Sequence, residues 1–208
     1  MKIVPYTKSL KNSTIECLCR SFQEDPLTNA ILDNEYDKYS PFLFRIQIWI
    51  TQSYKLSECM IDTNEKVVCA AVWEPAKPSL LVMCKFFISF IAILWNYGWR
   101  MTKRFMIMFD ELEKMKQKHA PKALHLQILG TDPLAQGKGL GSRLIQYGIQ
   151  RADDLGVSCY LESSNPKNVP FYERHGFQTL ELYYPLEKDK TCEGKGPVCT
   201  IMLREYSP

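Results

Sequence analysis

The chain has 208 residues and a formal charge of +3, from 26 Lys and Arg against 23 Asp and Glu. A charge this balanced leaves no polyanion footprint, so we expect no nucleic-acid partner. With 46% hydrophobic and 24% charged residues the chain can bury a sizeable core, and its length fits one elaborated domain, taken as residues 1–208.

Eight cysteines suggest disulfides only in a small secreted chain. The opening MKIVPYTKSLKN has no apolar run followed by a cleavage site, so we expect a cytoplasmic location and reduced thiols. Cys17-x-Cys19 and the distant Cys192 and Cys199 lack CxxC pairs and histidines at finger spacing, and no metal is expected.

In chain order, Lys2 to Pro5 reads as a short strand. The period of Ile15, Leu18, Cys19 and Phe22 reads as a helix that ends at Asp25-Pro26. A second helix is expected from about Pro41 to Tyr54. Glu58 to Asp62 and Val67 to Trp73 then read as a hairpin ending before Pro75 and Pro78. Leu80 to Trp99 is the most apolar stretch and approaches the roughly 20 residues of a membrane span. Lys85 interrupts it and Asn96, Gly98, Arg100, Lys103 and Arg104 close it, so we expect a buried or pocket-lining helix and no membrane partner. A membrane-lying helix is the alternative. Met101 to Lys118 reads as another helix with Phe105, Met108, Leu112 and Met115 inward. Its Glu111 lacks a basic partner at i+4 and is expected to be solvated.

From Ala123 the pattern becomes strand, helix, strand, short helix, strand. Ala123 to Gly130 is a strand, a helix starts near Gly139, and Val157 to Ser163 is the next strand. Val169 to His175 is a short helix and Phe177 to Leu186 a strand. Lys188 to Gly196 is a polar loop, and Val198 to Arg204 a last strand. The order implies an α/β chain of α+β type, a mixed sheet with helices on its faces.

The densest chemical signal lies between strand and helix, in Gln136-Gly137-Lys138-Gly139-Leu140-Gly141-Ser142. Alternating glycines let successive amides face one point at a helix N-terminus, where the dipole also favours an anion. The spacing is neither GxxxxGK[ST] nor the dinucleotide GxGxxG. Lys138 and Arg143 either add positive charge there or are solvated surface residues.

Gln136-x-x-Gly139-x-Gly141, after the strand end Leu129-Gly130-Thr131-Asp132-Pro133, resembles the acetyl-CoA pyrophosphate motif of the GNAT acetyltransferase superfamily. Asn165 with Phe171-Tyr172-Glu173-Arg174-His175-Gly176-Phe177 resembles its downstream segment, and the likeness runs over residues 124–179. Ala71-Val72-Trp73 before Pro75, His119-x-Pro-Lys122 and Leu161-Glu162-x-Ser164 are similar to the puromycin N-acetyltransferase branch. The resemblance implies a sheet with splayed central strands and acetyl-CoA as co-substrate. The pantetheine arm would pair with Leu129, Gly130 and Thr131, and the amides of Gln136, Gly137, Lys138, Gly139, Leu140, Gly141 and Ser142 would hold the pyrophosphate. Asn165 would reach the arm, with Asn168 beside it across Pro166.

Acetyl transfer to an amine needs a neutral amine and a proton for the departing thiolate. By the resemblance Tyr172 is the acid, because a phenol with a pKa of about 10 stays protonated at neutral pH. His125 is a candidate base. Strict alternation would put His125, Gln127 and Leu129 on one face of their strand and Leu124, Leu126 and Ile128 on the other. Glu162 is a second candidate, or a site for the substrate ammonium, or a carboxylate satisfied by Ser164. His119 and His175 read as helix-end residues. The acceptor is expected to be a small-molecule amine. Trp49, Trp73, Phe86, Phe87, Trp95 and Trp99 supply either an aromatic acceptor surface or core, and Glu24, Asp25, Asp33 and Glu35 supply scattered negative charge. A peptide amine, or acyl-CoA binding without catalysis, remains the alternative, and the oligomeric state is open.

Overall fold

The computed structural model describes residues 1–192 and 194–207. Strand β1 (Lys2–Pro5) leads into the helices α1 (Lys11–Ser21), α2 (Pro26–Ile31) and α3 (Tyr36–Thr51). The hairpin β2 (Ser57–Ile61) and β3 (Val67–Glu74) precedes the long helix α4 (Leu80–His119). Then follow β4 (Leu124–Thr131), α5 (Leu140–Asp154), β5 (Cys159–Ser163), α6 (Val169–Glu173), β6 (Gln178–Tyr183) and β7 (Cys199–Arg204).

The strands form one seven-stranded sheet in the order β1-β2-β3-β4-β5-β7-β6. All neighbours are antiparallel except β4 and β5. This is the mixed sheet expected from the element order, and its centre is open. β4 and β5 pair only at Leu124 with Cys159 and His125 with Tyr160, so the rest of β4 has one edge without a strand. On one face α1 and α3 pack Ile15, Leu18, Phe44 and Ile48 against Val72 and Ile128. On the other, Leu144 and Ile145 of α5 pack with Trp73, Leu126 and Leu161. Each such buried side chain contributes about 1.5–3 kcal/mol. Trp73 fits because residue 148 is glycine. A Cβ there would lie 2.2 Å from the indole.

The fold departs from the expected pattern at several points. Asp25-Pro26 does follow the end of α1, but it also starts α2, which the sequence reading missed. Asp25 Oδ1 accepts from the Thr28 amide at 2.8 Å, an N-cap, with Pro26 in the first helical turn. α3 begins at Tyr36, ahead of the expected Pro41, which stands inside the helix. The two helices expected over residues 80–118 exist as halves of α4, joined at Gly98 with φ 72°.

The first half of α4 is not the buried helix expected, because α3 covers only one side of a segment that is apolar all round. Val82, Ser89 and Tyr97 are buried, whereas Leu80, Phe87 and Trp95 are exposed. Glu111 is not solvated either. It is buried and accepts from the Tyr183 hydroxyl, from Lys188 at 2.6 Å and from Lys114 at 2.9 Å. Burial works against its ionisation, but these hydrogen bonds outweigh it and hold the carboxyl at about 2. No i+4 pattern announces it, since Tyr183 and Lys188 come from the far end of the chain. The loop expected over residues 188–196 includes residue 193, outside the described residues. Its Asp189 is buried and clamped by Arg104 at 2.9 Å.

Candidate active site

The separation of β4 and β5 opens a cleft of about 790 Å³. A bulge in β4 sets which side chains face it. Val72 pairs with Ile128 but Trp73 with Leu126, so Gln127 is an extra residue on the β4 side. Strict alternation therefore fails. Leu124 and Leu126 join the α5-side core, Ile128 the α1-side core, and Leu129 returns to the α5 side. The bulge falls where pairing with β5 ends, and both changes leave the backbone from Gln127 to Thr131 along the cleft. Gly130 lets α1 pack closely there, since a Cβ would sit 2.9 Å from Leu18.

At one end of the cleft stands the glycine-rich turn. Gly137 and Gly139 have φ of 75° and 70°, and apart from their chain neighbours no described residue comes within 4 Å of where a Cβ would project. This is a left-handed turn with open space in front of it, running into the fifteen-residue α5. The first-turn amides of α5 have no intrahelical partner and face the positive end of the dipole. An anion such as a pyrophosphate fits this cradle, and an extended acyl arm fits the free edge of β4.

Of the expected cofactor residues, Leu129, Gly130, Thr131, Gln136, Gly137, Gly139, Leu140, Gly141, Ser142, Asn165 and Asn168 line the cleft. Lys138 does not, and its Nζ turns back to the Leu134 carbonyl at 3.3 Å. Arg143 is exposed and likewise away from the lining. The lysines and arginines that do line the cleft are Lys116, Lys167 and Arg174, none of which the sequence reading singled out. Asn165 caps its turn through the Lys167 amide at 3.1 Å, so its loop-setting role is present. His175, expected as a helix-end residue, meets Ser142 Oγ at 3.1 Å behind the turn.

The polar centre of the cleft joins three strands. His125 Nε2 lies 2.6 Å from Glu162 Oε2, and Nδ1 lies 3.6 Å from Glu74 Oε2. His125 is only 9% exposed, and its Nδ1 is buried without a hydrogen-bond partner among the described residues. Burial pulls its pKa down. The charge and hydrogen bond of Glu162, followed by Glu74, outweigh burial and raise it to about 9. Glu162 is therefore not satisfied by Ser164, whose hydroxyl goes to Asp25 instead. Glu74 is a member of this group that the sequence reading missed. Its only signal was an acidic residue at the end of a buried strand.

Tyr172 also lines the cleft and is buried. Burial first, then the negative charge of Asp25, push its phenol well above the usual range, so it holds its proton at neutral pH. Among the described residues that line the cleft there is none of the six aromatics read as either acceptor surface or core. Trp73 is fully buried, and Phe86, Phe87, Trp95 and Trp99 are exposed elsewhere. Besides Tyr172 and Phe171, the aromatic rings in the cleft come from Phe22, Phe44, Phe105 and Phe109, and its lining also holds the charged Glu24, Asp25, Glu113 and Lys116. Asp33 is spent on Arg100 and Arg104, and Glu35 on Lys38.

Residues 90–177 match the family model of the acetyltransferase (GNAT) family. Mycothiol acetyltransferase of Propionibacterium freudenreichii is 41% identical over 56 residues, which cover 26% of this chain and 18% of that relative's length. Arylalkylamine N-acetyltransferase 2 from Aedes aegypti superposes with a TM-score of 0.73 at 18% identity, covering 99% of both chains. The polyamine N-acetyltransferase of Drosophila melanogaster superposes with a TM-score of 0.70 at 15% identity, covering 98% of this chain and 99% of that one. The chain has the GNAT acetyltransferase fold.

Proposed function

We propose that this protein is an acetyl-CoA-dependent N-acetyltransferase that acts on a primary amine of a small molecule by direct attack, with both substrates in the cleft. One observation carries the reading: a single cleft holds an open glycine cradle at one end and the His125, Glu162 and Tyr172 groups deeper in. The solved neighbours that act on arylalkylamines and polyamines support a small amine as acceptor. The motifs similar to the puromycin branch make aminoacyl amines one class within it.

The co-substrate supplies an activated thioester acetyl group, and the residues of the chain do the rest. Glu162 holds His125 through Nε2 and leaves Nδ1 as the nitrogen free to handle a proton. Nδ1 takes the proton of the attacking amine, directly or through one water. At neutral pH the imidazole is mostly protonated, so the competent fraction grows about tenfold per pH unit up to about 9. Glu74 and Glu162 also favour an acceptor arriving as an ammonium. Tyr172 gives its proton to the sulfur as the carbon–sulfur bond breaks and regains one from solvent.

Thiol release from acetyl-CoA by the full chain, measured across arylalkylamines, polyamines, aminoacyl amines and short peptides, tests the reading. We expect release that depends on a small amine, with Tyr172→Phe lowering kcat about 10²-fold at unchanged acetyl-CoA affinity. CoA binding without release on any amine, and without any effect of Tyr172→Phe, would make the protein a binding module. Release only with peptides would move the acceptor class.

A further inference from the structure

The first half of α4 presents water with a face that its side chains do not suit. Leu81, Phe87, Ile88, Ile91 and Trp95 are exposed along roughly 21 Å of helix, Phe87 at 69% and Trp95 at 90%, and Trp99 is exposed just past the break at Gly98. Single apolar residues on a surface are ordinary, whereas a continuous apolar face marks an interaction surface. None of these residues lines the cleft, so substrate binding does not explain them.

The opposite side of the same segment belongs to the protein. Val82, Ser89 and Tyr97 are buried, and Lys85 Nζ donates to the Trp49 carbonyl and to Ser53 Oγ, both at 2.7 Å. The Tyr97 hydroxyl donates to the Tyr39 carbonyl at 2.7 Å. The helix is long and apolar enough to cross a bilayer, but crossing would break these bonds and strip the segment from α3. A helix held along its length on one side and apolar on the other is built to lie in an interface.

The charges carried by the segment itself have one sign. No acidic residue occurs between Pro75 and Phe109. Lys77 and Lys103 are exposed at its flanks, and Lys8 is close enough to Lys85 to depress it further, after burial. Two tryptophans sit near the end of the apolar run, as in the aromatic belts of membrane interfaces. We propose that this face docks into the headgroup layer of an anionic phospholipid bilayer, with the flanking lysines on the lipid phosphates. A second copy of the chain would set this cationic flank against itself, whereas anionic headgroups neutralise it. Phe86 beside the face packs on Phe109 of the cleft lining at a ring separation of 4.3 Å, so the docked face adjoins the acceptor end of the cleft.

Flotation of the full chain with phosphatidylcholine vesicles, with and without phosphatidylserine, tests this. The protein should float with the phosphatidylserine vesicles, less with phosphatidylcholine alone and less as salt is raised. Trp95 and Trp99 emission should shift to the blue on binding. Phe87→Glu with Ile91→Glu, both at exposed positions, should weaken vesicle binding by about tenfold or more while thermal melting and thiol release with a soluble amine stay unchanged. A wild-type chain that remains unbound at every lipid concentration would overturn the proposal. So would a dimer in sedimentation that the same double substitution dissociates, which would assign the face to a second copy.

Discussion

The two ends of the cleft are made in different ways. The cradle is local: a strand end, a turn with two left-handed glycines and the start of α5 follow one another within residues 129–142. The proposed acceptor end is assembled from β3, β4, β5, the loop before α2 and the second half of α4, and its candidate pair, His125 and Glu162, is 37 residues apart. A site built from consecutive residues leaves a spacing in the sequence. A site built by folding leaves only residue types.

The largest effect is expected where long-range assembly sets a proton affinity. Glu162→Gln removes the strongest influence that raises His125, so the imidazole pKa falls from about 9 and burial carries it lower still. The rising limb of kcat/KM should therefore move to lower pH, and the plateau should drop about 10²-fold as the ring loses its anchor. The measurement is a pH profile with an acceptor of low amine pKa, so that titration of the amine does not mask the enzyme. A plateau and limb like wild type would remove the pair from proton transfer.

An intermediate effect is expected at the local end. Gly139→Ala has room for its methyl group but must hold φ near 70°, a strain of about 1–2 kcal/mol. CoA should bind roughly tenfold more weakly with kcat nearly unchanged, by calorimetry and steady-state kinetics. Equal affinity would show that the turn does not hold the pyrophosphate.

The smallest effect sharpens the contrast within the acceptor end. Glu113 lines the cleft beside Lys116, which lies 3.1 Å away, and is partly exposed, so Glu113→Gln should raise KM only a few-fold. The rise should appear with cationic acceptors and not with acetyl-CoA. A matching change for both substrates would place Glu113 outside the acceptor end.

Legibility in the sequence followed the same division. The succession of strands and helices along the chain, the hairpin and the start of α5 were readable from periodicity and glycines, because each depends on neighbours in the chain. Asp25 was read as a stop and is also a cap, since one residue can end one helix and begin the next. Gln127 hid the β4 bulge, because an extra residue in one strand is visible only against its partner. Trp95 and Phe87 looked like core or pocket, and nothing within the segment says that α3 covers only one of its sides.

The sequence by itself determined the glycine turn and the mixed sheet, because turn geometry and side-chain period act over a few residues, and it offered Tyr172 as a candidate acid only through a family resemblance. Tertiary structure alone decided that His125 meets Glu162 and Glu74, that Lys167 and Arg174 supplant Lys138 in the cleft, and that the apolar half of α4 faces outward. Those outcomes depend on which surfaces meet across the fold, and burial and proton affinity are properties of that meeting.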